Sequence, residues 1–164
     1  MTDAPETNLE TAPDFTLPVA GHDGETVTLA GLRNQTVVLF FYPRDDTSGC
    51  TKESIAFSGL MDEFAQIGAK VFGISKDSLK SHDKFIAKHD LTTPLLSDEH
   101  GSTSEDFGVW VEKNMYGKKF MGIERATFVI DGAGKIARAW RKVKVPGHAE
   151  DVLDFVQNMA DQTQ

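Results

Sequence analysis

One cysteine, Cys50, is all the thiol chemistry this chain possesses. A lone cysteine cannot close an internal disulfide or run an intramolecular two-cysteine redox cycle. It cannot build a multi-cysteine zinc site either. Long apolar runs are also missing. The longest, Val37 to Tyr42, is far short of the ~20 residues that a membrane-spanning helix needs. No membrane partner is therefore expected. The opening stretch, MTDAPETNLE, has neither the basic start nor the apolar core of an export signal, so a cytoplasmic location is the expectation. Positive charge is scarce as well: 17 Lys and Arg face 25 Asp and Glu, leaving a net charge of -8. An acidic surface repels phosphate backbones, which argues against a nucleic-acid partner. The five histidines show no metal-ligand spacing and read as solvated surface groups. No metal or cofactor is expected.

What is present suits one folded domain. The chain has 164 residues, 40% of them hydrophobic, with eleven Phe among them. That is ample material for a single core. Residues 1–11 are polar and aperiodic and read as a loose tail, with the domain spanning 12–164. Pro13 to Leu17 and Thr26 to Thr28 read as short strands flanking a turn at His22-Asp23-Gly24. Thr36 to Tyr42 is apolar on both faces, as a fully buried strand is, and Pro43 ends its ladder. A helix begins at Cys50, with Ile55, Leu60, Phe64 and Ile67 as its inward stripe and Gly68 as its cap.

Ala69 to Ser75 is a second buried strand. Ser78 to His89 is a helix with Leu79, Phe85 and Ile86 inward, and Pro94 to Leu96 a short strand. Glu105 to Met121 has no clean period. Its aromatics Phe107, Trp110, Tyr116 and Phe120 are expected in the core or a pocket wall. Arg125 to Ile130 and Lys135 to Trp140 form a hairpin across Asp131-Gly132-Ala133-Gly134. Residues 149–160 close the chain as an amphipathic helix. The order of elements predicts an α/β protein with helices layered on a central sheet.

Cys50 falls just after the loop that leaves the carboxyl end of a buried strand, in the first turn of a helix. Ligands bind at that edge of open α/β sheets. Free N–H groups at a helix start favour a thiolate. The alternative is a small buried hydrophobe, which is what many lone cysteines are. Asp45, Asp46 and Glu53 oppose a thiolate, so a working nucleophile requires a nearby cation. Arg125, at the start of a strand, is the candidate.

The run PRDDTSGCTKE resembles the peroxiredoxin motif P-x-x-x-T-x-x-C, supplied by Pro43, Thr47 and Cys50. The segments APDFTLP, GISKDS, KFIAKHDL, PLLSD, YGKKFMGIERATFVID and KVKVPGHAEDVL extend the likeness over nearly the whole chain. Together they resemble the bacterioferritin comigratory protein, or peroxiredoxin Q, group. The resemblance implies a thioredoxin-like α/β/α sandwich with a central mixed sheet. It implies a thiol peroxidase acting on hydrogen peroxide and organic hydroperoxides. Cys50 matches the peroxidatic cysteine and Thr47 the hydroxyl that contacts thiolate and peroxide. Pro43 matches the residue shielding the pocket, and Arg125 the arginine holding thiolate and peroxide together.

Many members carry a resolving cysteine where this chain has Ile55, or on the next helix near Phe85 and Ile86. This chain has neither, so it resembles a one-cysteine variant recycled by an external thiol: thioredoxin, glutaredoxin or glutathione. A monomer is expected, with a dimer as the alternative.

At pH 7 an ordinary thiol is already a few per cent ionised, so full ionisation accelerates it only about 30-fold. Larger gains require groups that stabilise charge moving onto the peroxide oxygens. A thioredoxin-type reductase is disfavoured because position 47 is Thr, which breaks C-x-x-C. The remaining alternative is a non-enzymatic redox sensor or holdase using the same cysteine.

Overall fold

A computed structural model describes residues 9–22 and 25–162. The expected tail over 1–8 and the Asp23-Gly24 part of the expected turn lie outside the described residues. Glu10 and Thr11, read from sequence as tail, are tied down. The Glu10 carbonyl accepts from the Ile136 N–H at 2.8 Å, and Thr11 bridges to Lys135.

The core is a five-stranded mixed sheet. Its strands are β3 (Thr36–Phe41), β4 (Ala69–Ser75), β5 (Leu95–Ser97), β8 (Ala126–Ile130) and β9 (Ile136–Arg141), in the order β5-β4-β3-β8-β9. The short strands β1 (Thr16–Pro18) and β2 (Thr26–Thr28) form a separate antiparallel pair. β3 runs parallel to β4 and antiparallel to β8. Burial on both faces explains its sequence. Val37, Leu39 and Phe41 pack on one side with Phe15, Phe107, Phe128 and the β1–β2 pair. Val38, Phe40 and Tyr42 pack on the other with the helices. Those helices are α1 (Ser48–Ser58), α2 (Met61–Gln66), α3 (Leu79–His89) and α5 (His148–Gln162). A short α4 (Thr103–Asp106) lies just before Phe107. Phe40 stacks on Phe57 with centroids 4.5 Å apart. Burying each such ring contributes about 1.5–3 kcal/mol.

The single helix expected from Cys50 to Ile67 is broken at Gly59-Leu60. The Ser58 side chain is engaged across the break. Its Oγ bonds Thr93 at 2.9 Å and accepts from the Thr92 N–H, tying the chain to the approach to β5. The bend lets Phe57 and Phe64 both face the sheet. Ile55, expected inward, is 48% exposed. The buried face of α1 is Cys50, Glu53, Ser54 and Phe57, a spacing proper to a helix but masked by two polar residues. Leu79 is likewise exposed, while Phe85 is buried as expected.

The aperiodic stretch resolves into α4 and the antiparallel pair β6 (Trp110–Met115) and β7 (Lys118–Ile123). Tyr116 and Gly117, with φ of 54° and 79°, make its two-residue turn. Phe107 is buried and Trp110 half-buried, but Tyr116 is 98% exposed and Phe120 is also exposed. Those two belong to a hairpin that projects from the core, which corrects the expectation that they line it.

Candidate active site

β3 delivers the chain to the site. After Phe41 the loop 42–47 leaves the carboxyl end of the sheet, and α1 starts at Ser48. Thr47 is the N-terminal cap residue, and its carbonyl accepts the first helical bond from Thr51 at 2.8 Å. Cys50 therefore sits in the first turn, where backbone N–H groups lack helical partners. It is 1% exposed. Phe41 pairs with Ala126, so the residue before β8 stands beside the end of β3. That register places Arg125 over the thiol. Its Nη2 donates to Cys50 Sγ at 3.2 Å, and its Nη1 donates to Glu53 Oε1 at 2.7 Å. A Cβ on Gly49 would lie 3.1 Å from Arg125 Nη2, so a bare glycine leaves the guanidinium its path to sulfur.

One guanidinium thus serves two acidic groups. Burial pushes the Glu53 carboxyl up to about 7, against the pull of Arg125. Its second oxygen, Oε2, and the neighbouring Ser54 Oγ are buried without a hydrogen-bond partner. Burial would lower Arg125, but Glu53 and then Cys50 outweigh it and raise its affinity for its proton. Lys113 of β6 adds a second cation to this field. Burial and then Arg125 lower its pKa, while Cys50 and Glu124 oppose them.

The other expected site residues fall around this pair. Pro43 is half-buried at the head of the loop. Thr47 is exposed, and its hydroxyl donates to the Arg44 carbonyl at 3.0 Å. Among the described residues no hydrogen bond joins Thr47 to Cys50.

Beneath the loop lies a buried polar cluster that spacing along the chain did not reveal. Asp45 accepts from the Tyr42 hydroxyl at 2.7 Å and from Ser81 Oγ at 2.8 Å. His82 is fully buried rather than solvated. Its Nδ1 lies 2.7 Å from Asp45 Oδ2 and its Nε2 lies 2.9 Å from the Leu96 carbonyl. The Asp45 N–H donates to Asp77 Oδ2, which also accepts from Ser75 Oγ. Burial, and then the Asp45 carboxylate, raise the Tyr42 hydroxyl well above its ordinary value, so it stays a neutral donor. Asp45, Asp77 and His82 are close enough together to hold a metal ion, yet each already has hydrogen-bond partners: Asp45 has His82, Tyr42 and Ser81, and Asp77 has Ser75 and the Asp45 N–H. His148, also expected on the surface, is buried. Its Nε2 lies 2.8 Å from Thr127 Oγ1, and burial lowers its pKa to about 4.

Comparison with known proteins gives a consistent result. The AhpC/TSA family model matches residues 9–139. Peroxiredoxin Bcp of Xanthomonas campestris is 46% identical over 151 residues, which cover 92% of this chain and 94% of that protein. Peroxiredoxin Bcp of Bacillus subtilis is 43% identical over 150 residues, covering 92% and 94%. Among solved structures, Xanthomonas campestris peroxiredoxin Q superposes with a TM-score of 0.84 at 45% identity, covering 89% of this chain and 91% of that one.

Proposed function

The chain belongs to the AhpC/TSA family, in its bacterioferritin comigratory protein or peroxiredoxin Q group, and from that premise we propose that Cys50 is its peroxidatic cysteine, recycled by an external thiol. Membership makes the chain a thiol peroxidase of thioredoxin-like fold. The finer reading is a one-cysteine cycle that reduces hydrogen peroxide and organic hydroperoxides. The observation that carries it is the 3.2 Å contact between Arg125 and Cys50 Sγ in the first turn of α1.

In this cycle the Cys50 thiolate attacks the terminal peroxide oxygen. The O–O bond breaks, an S–O bond forms, and the leaving oxygen takes a proton to become water or an alcohol. Cys50 is oxidised to sulfenic acid. The guanidinium of Arg125 carries several fixed donors, so it contacts sulfur and stabilises charge on the departing oxygen at once. The Thr47 hydroxyl, while donating to Arg44, keeps an acceptor lone pair for the peroxide O–H. Pro43 shields the pocket from the loop side. One external thiol then displaces water from the sulfenic acid to form a mixed disulfide, and a second thiol releases Cys50. With one cysteine in the chain, the reductant must come from outside: glutathione or a thioredoxin- or glutaredoxin-type protein.

Stopped-flow measurement of peroxide consumption with these reductants is the test. Cys50→Ser should abolish turnover and keep the fold. Arg125→Ala should slow the reaction by about 10²–10³, as loss of one transition-state donor does, and the deficit should persist on the high-pH plateau. Retained activity in Cys50→Ser overturns the mechanism. An Arg125→Ala plateau equal to wild type removes the transition-state role. Oxidation of Cys50 without turnover under any reductant would favour a redox sensor instead.

A further inference from the structure

We propose that helix α3 is a clamp on the loop that precedes Cys50, and that Asp45, Asp46 and His82 are positioning residues that set the balance between reaction with peroxide and reduction by the external thiol. The inference rests on the peroxidase reading above. Cys50 is almost wholly buried, so a thiol larger than a peroxide reaches its sulfenic acid only after the first turn of α1 and the loop before it move outward. What resists that motion is visible. The inner fastening is Asp45, whose carboxylate contacts His82 Nδ1 and accepts from the hydroxyls of Tyr42 and Ser81, and whose own N–H donates to the carboxylate of Asp77. His82 is in turn fixed to the Leu96 carbonyl, and Ser97 Oγ holds the Asp77 carbonyl at 2.6 Å. The loop is thereby pinned to the ends of β4 and β5 as well as to α3.

The outer fastening is Asp46. It adopts φ of +60°, a conformation that Asp tolerates better than most residues but that still needs support. Lys88 Nζ donates to its Oδ2 at 2.7 Å, and His89 Nε2 contacts Oδ1 at 2.9 Å. His89 first, and then Lys88, hold the Asp46 carboxyl below its usual range. Both side chains come from the last turn of α3. The peroxide-reacting arrangement keeps Cys50 against Arg125. The opened arrangement gives up Arg125 and both fastenings together. A residue that binds only the closed arrangement shifts the two half-reactions in opposite directions.

The experiment measures the two half-reactions separately, with hydrogen peroxide as oxidant and dithiothreitol as the probe reductant. Asp46→Asn keeps the backbone preference and removes the charge. It should slow oxidation of Cys50 and speed reduction of its sulfenic acid, each about two- to fivefold. His82→Asn should move both in the same senses by about tenfold or more. Sulfinic acid formed per turnover should fall in step. Two unchanged half-reactions, or two that slow in parallel as in a merely loosened fold, overturn the clamp. Asp46 is exposed, so its variant decides the matter if His82→Asn fails to fold. Failure of wild-type Cys50 to react with peroxide would overturn the peroxidase reading. A reactive wild type whose variants do not diverge overturns the clamp alone.

Discussion

Burial acts on Glu53 and His148 in opposite senses, and the acid range reads the difference. Glu53 is raised to about 7 by burial, against Arg125. The folded state binds its proton more tightly than the unfolded chain does. Its contribution to stability is therefore full below the ordinary carboxyl value and is lost as pH rises through about 7. His148 is lowered to about 4, again by burial first. Its contribution is full above the ordinary imidazole value and is lost as pH falls through about 4. Between roughly pH 4.5 and 6.5 the two slopes oppose each other. Urea midpoints over that window should be nearly flat for the wild type, as far as these groups determine them. Glu53→Gln should lose stability on acidification, because His148 then acts alone. His148→Gln should gain it. Variants that both track the wild-type profile would show that neither group carries a shifted pKa.

Helix α1 shows how far sequence reaches at the scale of elements. Its position was legible because a two-faced apolar strand, a proline stop and a polar loop precede it, and Pro43, Thr47 and Cys50 form a local motif. Arg125 was legible as the start of a strand, although only the pairing of Phe41 with Ala126 brings it to the sulfur. The inward face of α1 was not legible. Glu53 and Ser54 are polar, and their burial depends on what lies across the fold. The same holds for His82, whose partner Asp45 is 37 residues away, and for His148, whose partner Thr127 is 21 away.

The correction has a chemical consequence. Cys50 and Ile55 point to different sides of α1, one buried and one exposed, since five residues do not return to the same helix face. Ile55→Cys should alter stability by less than about 0.5 kcal/mol, as exposed substitutions do. After one equivalent of peroxide it should form a disulfide with Cys50, with release of water, more slowly than the sulfenic acid appears. Mass spectrometry at timed quench points reads both. Absence of the disulfide would mean that the first turns of α1 stay wound throughout the cycle.

At the scale of the whole molecule, one sulfur lies between a rigid sheet and two sets of fastenings, with no second thiol anywhere in the chain. Arg125, braced by Glu53 of α1, holds it from the β8 side, and the loop before it is fixed to α3 from the other. On the proposed reading that arrangement presents the Cys50 thiolate to peroxide but supplies no second thiol to remove the resulting sulfenic acid. In the proposed cycle the oxidised cysteine waits for a collision with an outside thiol, and a second peroxide competes for it, driving it to sulfinic acid. Peroxide in excess over reductant should therefore inactivate the protein progressively, in proportion to peroxide added. One equivalent should instead give a sulfenic acid that dimedone traps, with no intramolecular disulfide. Intact-mass measurement after graded peroxide distinguishes the states by oxygen count, and a thiol added before the second equivalent should protect the protein. Disappearance of peroxide while Cys50 keeps its reduced mass, without any added thiol, would overturn the one-cysteine cycle.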